Sequence, residues 1–265
     1  MILIIGATGM LGQALLKQAG LRNINILGTS RQPSAAVSFI VDLTDLPAVD
    51  RLLSNLQPSH IINCAAITNS AECEAHPEVA FNLHSHAVQW LVQSCDQHKA
   101  KLIQISTDQV GEDNAYAMSK AEGEKFALIN PNNLVIRTNV TGLRRWTEPT
   151  FFEWAYDAIK EERELTLFTN AFCQTIDSTS LADAIFDLIE CNGLLEIGSS
   201  EIFSKSTFLH VLANRMGIGL PSYTETPIPA YRRLLDVRKA EILLGHKLPT
   251  LLEVINALLA SVPNR

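Results

Sequence analysis

The sequence predicts an α/β fold. It has a Rossmann-type, doubly wound parallel sheet in the N-terminal half and a smaller, mostly helical C-terminal lobe. Three observations predict it. Six short apolar runs alternate with helical patterns before residue 143. The runs are near-continuously apolar, as strands are when helices cover both faces of a sheet. The glycine-spaced stretch "GATGMLG" (6–12) follows the first run directly, where such a sheet bends from its first strand into its first helix.

In chain order the strands are "ILIIG" (2–6), "INILG" (24–28), "VSFIVD" (37–42), "HIINC" (60–64), "KLIQIS" (101–106) and "NLVIRT" (133–138). Helical patterns fill 10–20, 45–56, 77–98 and 115–129 between them. Strand–helix alternation gives a parallel sheet with right-handed crossovers. Beyond residue 143 helices dominate: 149–163, 178–191, 204–216, 236–244 and 249–261, interrupted by strands at 165–168 and 194–198. Pro221, Pro227 and Pro229 mark an irregular stretch before the last two helices. We therefore expect a nucleotide-binding domain over 1–143 and a smaller substrate-binding lobe over 144–265, with the chain free to cross between them. The site is expected at the carboxyl ends of the strands.

The 265 residues are 47% hydrophobic and 18% charged, ordinary for a globule with a sizeable core. The net charge of −7 repels nucleic-acid phosphates and anionic lipid. Neither nucleic acid nor membrane is an expected partner, and an anionic ligand has to be held locally. Five cysteines (64, 73, 95, 173 and 191), an odd number with no CxxC pair, fit reduced thiols. Met1 is followed by four apolar residues and a glycine, with no basic leader, which is neither a signal peptide nor a span. The expectation is a cytoplasmic protein.

Each glycine of "GATGMLG" has a physical use. Gly6 allows the tight turn, Gly9 lets the backbone approach a pyrophosphate, and Gly12 lets the helix pack close to the sheet. With Thr8, Met10 and Leu11 they form a cradle whose helix N-terminus offers free N–H groups and partial positive charge to phosphates. A cofactor lacking the 2′-phosphate is usually held by an acidic residue at the end of the second strand. Here "LGTSRQ" offers Ser30 and Arg31 instead. The forked donors of Arg suit a phosphate, which favours NADP(H); the alternative is a solvated surface Arg. Asp42 and Leu43 end the third strand, where an adenine is within reach, and Asp42 equally suits a helix cap.

In "STDQVGEDNAYAMSK" (106–120), Tyr116 and Lys120 stand at i and i+4 and project from one helix face. A Tyr of ordinary pKa near 10 exchanges protons poorly at neutrality, and a nearby ammonium favours its phenolate. Thr107 ends the fifth strand. Nine extended residues span about 30 Å, so the short connection to Tyr116 permits a Thr–Tyr–Lys triad. His84, Cys95 and His98 share one side of the helix 77–98, but His84 and Cys95 are about 16 Å apart along its axis, too far for one ion. No metal is expected. "KEERE" (160–164) fits a solvated helix end. Phe151, Phe152 and Trp154 fit core packing better than a cleft rim. Ser106 lacks the elbow of a hydrolase nucleophile.

Taken together, "GATGMLG", "VDLTD", "IINCAAIT", "HPEVAFNLHS", "ISTD", "YAMSK" with "AEGE", "VIRTNVTG" and "LLDVRKAEILLG" run through most of the chain. In this order it resembles the extended short-chain dehydrogenase/reductases, and among them the dTDP-4-dehydrorhamnose reductase group. The resemblance implies NADPH-dependent reduction of a 4-keto group on a nucleotide-linked deoxysugar; the expected assembly is a monomer or homodimer. It implies that Thr107 binds the reacting carbonyl oxygen, Tyr116 delivers the proton, and Lys120 holds the nicotinamide ribose and perturbs the Tyr. Ala65, Ala66 and Ile67 then line the cofactor, and Thr68 and Asn139 border the substrate. Arg137 and the segment around Trp146 are further candidates to reach the nucleotide diphosphate.

The chain departs from the family pattern in three places. His84 stands where an Asn is usual, Val140 where a Trp is usual, and the Thr107–Tyr116 connection is much shortened. Two rival readings follow: an NADP-binding partner subunit without catalysis, like a regulatory subunit of methionine adenosyltransferase of similar sequence, or a reductase of another carbonyl compound.

Overall fold

The computed structural model describes residues 1–144, 148–226 and 231–263. Trp146, Pro227 and Pro229 lie outside the described residues. The chain divides into two units, one of Met1–Arg137 with Ile185–Leu195 and one of Thr138–Ala184 with Glu196–Arg265.

The first unit opens with β1 (Ile2–Ile5), α1 (Met10–Leu21), β2 (Ile26–Ser30), β3 (Phe39–Ile40), α2 (Leu46–Leu56) and β4 (His60–Asn63). It continues with α3 (Ser70–Ala75), α4 (Pro77–Phe81), a π-helical turn (Asn82–His86), α5 (Ala87–His98), β5 (Lys101–Ile105), α6 (Ala115–Ala127) and β6 (Leu134–Thr138). The strands form a seven-stranded sheet in the order β11-β6-β5-β4-β1-β2-β3, where β11 is Gly193–Ile197. Pairing is parallel from β3 through to β6. Chain order reverses at β1, which lies between β2 and β4. Connections leaving β1 and β4 therefore run to opposite sides, which opens a crevice at their carboxyl ends. Every residue of β1 is buried, as are three of the four in β4. A core of Leu3, Leu53, Ile61, Leu91 and Leu102 packs beside them.

The second unit contains β7 (Val140–Thr141), α7 (Phe151–Lys160), β8 (Leu165–Leu167), β9 (Ala171–Cys173), β10 (Ile176–Asp177) and α8 (Ser178–Asp187), whose end returns to the first unit. After β11 follow β12 (Phe203–Ser204), α9 (Lys205–Met216), β13 (Tyr223–Glu225), β14 (Tyr231–Arg232), α10 (Arg238–Leu244) and α11 (Leu251–Ser261). Its own core gathers Phe152, Phe208, Leu212, Val254 and Ile255. Phe152 is fully buried, and Phe151 stacks on Trp154, so the aromatic cluster packs as expected.

The structure differs from the sequence reading where elements are short or polar. The second strand runs two residues later, because Thr29 is buried with its hydroxyl donating to the Ile4 carbonyl (3.3 Å) and Ser30 is buried beside it. α3 was not expected; six residues carry too little periodicity, and Asn69 starts it by accepting from the Ala71 and Glu72 N–H groups. Strands β7, β9, β10, β12, β13 and β14 have two or three residues each, too few for an apolar pattern. Asp42 is not a helix cap: it accepts from the N–H (2.9 Å) and hydroxyl (2.7 Å) of Thr44. Asp45 caps α2 through the Ala48 N–H.

The helix expected over 77–98 is broken by the π turn at Asn82–His86. The turn packs against α6 so closely that a Cβ at Gly123 would lie 2.0 Å from the His84 carbonyl oxygen. The neighbour is backbone and cannot swing aside. Gly123→Ala is therefore expected to lower stability by about 2 kcal/mol or more, seen as an earlier urea midpoint. In Gly20→Ala, at a helical glycine with nothing within 4 Å, the midpoint is expected to hold or move later.

Candidate active site

The turn after β1 is built from backbone contacts. Gly6 has φ +82°, a left-handed conformation that favours glycine. A side chain there would also strike the Ala65 backbone at 2.9 Å. The β1–β4 register, with Ile5 opposite Asn63, sets this approach. Gly12 is packed just as closely, because a Cβ would lie 2.5 Å from the Gly6 carbonyl oxygen. Gly9 caps α1 with no side-chain hydrogen bond, and the first turn of α1 has no acidic residue. The Thr8 carbonyl accepts from the Gln13 side chain (2.6 Å), which fixes the loop. Met10 is half-buried, whereas Leu11 is in the core. The cradle is short of side chains and suits a phosphate.

At the end of β2 the Ser30 hydroxyl donates to the Gln32 carbonyl, and Arg31 is exposed. Leu43 is 2% exposed and packs in the core. After β4, Asn63 donates to the Gln104 side chain (2.8 Å) and accepts from the Ala65 N–H (3.2 Å). Ala65, Ala66 and Ile67 are half-buried and Thr68 is exposed.

Tyr116 and Lys120 both lie on the buried face of α6, at 8% and 5% exposure. The Lys120 ammonium donates to the Ile105 carbonyl at 2.6 Å, which ties α6 to the end of β5. Burial pulls Lys120 down from 10.5 to about 8, with Glu124 and Cys64 opposing. Burial pushes the neighbouring Cys64 thiol up to about 12, against the pull of Lys120. Tyr116 packs with Cys73, Ala80, Ala115 and Ile67.

Thr107 is buried two residues beyond the Ile105 carbonyl that Lys120 holds. Its hydroxyl accepts from the Gln109 N–H (3.2 Å) and donates to the Asp108 carboxylate (3.3 Å). The short connection thus folds back on itself, turning at Gly111 with φ +103°. Asn114 caps α6 through the Ala117 N–H (2.8 Å), and Glu74 of α3 accepts from the Ala115 N–H.

Other candidates are placed elsewhere. Asn139 belongs to the second unit, where it accepts from the Thr175 hydroxyl (2.9 Å). Arg137, a candidate for the diphosphate, instead grips the Glu124 carboxylate through Nε (2.9 and 3.1 Å) and a terminal nitrogen (2.8 Å). His98 pairs with Asp50 (3.1 Å). Glu74 and Ser119 had no signal in the sequence, whereas His84 stood out there only as a departure from the family's Asn.

Known proteins resemble this chain in sequence or in structure. A probable low-salt glycan biosynthesis reductase of Haloferax volcanii is 27% identical over 97% of each chain. Methionine adenosyltransferase 2 subunit beta of Danio rerio is 32% identical, over 52% of this chain and 47% of its own. A crystal structure from Sulfolobus tokodaii, described as a hypothetical dTDP-4-dehydrorhamnose reductase, superposes with a TM-score of 0.83 at 25% identity, over 94% of this chain and 96% of that one. The family model described as the RmlD substrate binding domain matches residues 1–250. The chain therefore belongs to that family, within the extended short-chain dehydrogenase/reductases.

Proposed function

We propose that this chain is an NADPH-dependent reductase of a 4-keto group on a nucleotide-linked deoxysugar. The observation that carries the reading is the placement of Tyr116 and Lys120. Both are buried on one face of α6, and the ammonium is anchored on the last residue of β5. Family membership and the relatives named as reductases support it.

The residues present fit a dinucleotide. The side-chain-poor cradle of Gly6, Thr8, Gly9, Met10 and Gly12 suits the pyrophosphate, with the backbone of Leu11 at the start of α1. Ser30 and exposed Arg31 suit a 2′-phosphate. Asp42 and the backbone of Leu43 suit the adenine end. Ala65, Ala66 and Ile67 suit the nicotinamide end. The bound cofactor supplies a hydride. Tyr116 gives its phenolic proton to the carbonyl oxygen as that atom gains negative charge. Lys120, still mostly charged at pH 7, favours the phenolate left behind. Thr107 steadies the same oxygen by turning its hydroxyl proton from Asp108, a long hydrogen bond that is easily given up. Thr68 borders the substrate. No helix among the described residues is long and apolar enough to cross a membrane. We propose a cytoplasmic monomer or homodimer.

The engaged Thr107 hydroxyl and the short loop favour a second reading, an NADP-binding partner subunit without turnover. Assay of a dTDP-4-keto-6-deoxysugar separates the two. We expect reduction by the wild type and a loss of about a hundredfold or more in Tyr116→Phe. Tight NADPH binding with no reduction of any keto-sugar leaves the partner subunit.

Two further outcomes follow from charge. Fluorescence titration is expected to give tighter binding of NADPH than NADH, with the preference cut about tenfold in Arg31→Ala; equal affinities in the wild type rule out the role of Arg31. The folded state holds Lys120 at a lower pKa than the unfolded chain, which therefore binds its proton more tightly. The resulting cost, roughly 3 kcal/mol, is fully present below pH 8 and fades as pH rises to 10.5. Wild-type unfolding free energy should show this rise. Lys120→Met should flatten it while abolishing turnover.

A further inference from the structure

His84 is 2% exposed and lies in the π turn between α4 and α5. Both of its ring nitrogens are committed to protein partners. Nε2 accepts from the Ile67 backbone N–H at 2.9 Å. An acceptor nitrogen carries no proton, so the ring proton sits on Nδ1. Nδ1–H then donates to the Ser119 hydroxyl at 2.9 Å, and that hydroxyl donates to the Tyr116 carbonyl at 3.0 Å. The imidazole also meets the Tyr116 ring edge-on, with centroids 5.8 Å apart and planes at 86°.

We infer that His84 is a positioning residue: a neutral, Nδ1-protonated imidazole that fixes the Ile67 loop at a set distance from the helix bearing Tyr116 and Lys120. The inference deepens the reductase reading and rests on it for its kinetic consequences. Two features stiffen the tie. The His84 carbonyl is wedged against Gly123. The next residue, Ser85, donates to the Glu122 carboxylate at 2.7 Å. Burial, with the Lys120 charge adding to it, holds the His84 pKa down to about 3, so the ring stays neutral near pH 7.

With one nitrogen accepting a hydrogen bond from the backbone and the other donating one to Ser119, the ring has no nitrogen left to pass a proton to substrate. Its work is spacing. The short rigid ring reaches both partners at once. An Asn amide reaches only where Nδ1 sits and a Gln amide only where Nε2 sits, so each amide keeps one bond and drops the other.

Nitrogen-15 spectra of the imidazoles in the full chain test the assignment without turnover. The His84 ring is expected to be neutral and Nδ1-protonated from pH 5 to 8. A cationic ring at pH 6, or the Nε2-protonated tautomer, overturns the inference. Kinetically, His84→Asn and His84→Gln should each lower kcat by about tenfold. Ser119→Ala should cost kcat in the wild type but little more in His84→Gln, where that bond is already lost. Unchanged kcat in both His84 variants, or losses that simply multiply with Ser119→Ala, overturn the tie. If the wild type reduces no keto-sugar, the reductase reading fails and the nitrogen spectrum alone decides the fate of His84.

Discussion

The approach of the π turn to α6 is the constraint on which the site depends. A backbone carbonyl of the turn occupies the space that any side chain at position 123 would fill. His84 and Ser85 of the turn meet Ser119 and Glu122 of α6. A π turn inside a helix is poorly bonded for its length and persists where the surrounding structure holds it. Here α6 holds it, and in return α6 is held in register with the loop after β4. Tyr116 and Lys120 inherit their places from that contact.

Charge in this region is layered. The protein is acidic overall, yet it buries an ammonium at Lys120. The Ile105 carbonyl and the field of Glu124 make that burial tolerable. Glu124 is itself buried and gripped by Arg137. A lone buried charge is costly, whereas a chain of alternating signs with filled hydrogen bonds is much less so. In the same arrangement Arg137 is held by the Glu124 carboxylate.

The connection between Thr107 and Tyr116 shows what shortening does. Its polar groups are satisfied locally: Thr107 by Asp108 and Gln109, and Asn114 by Glu112 and the start of α6. Glu74 from α3 takes the first N–H of α6. The cut therefore leaves the start of α6 capped and anchored.

Much was legible in the sequence because it rests on local rules. The apolar runs fixed the parallel strands, since a strand covered on both faces has to be apolar along its length. Gly6, Gly9 and Gly12 announced a turn that only small residues can make, and the Tyr116–Lys120 spacing set both on one helix face. The sequence could not reveal which polar groups would find each other across the fold. His84 belongs to one helical stretch, Ile67 to a loop and Ser119 to another helix; no spacing rule links them. Arg137 looked available for a ligand until Glu124 was seen to hold it, and Asp42 looked like a cap until Thr44 was seen to occupy it. Side-chain pairing depends on distances that exist only after the chain has packed, and so the tertiary structure alone decided it.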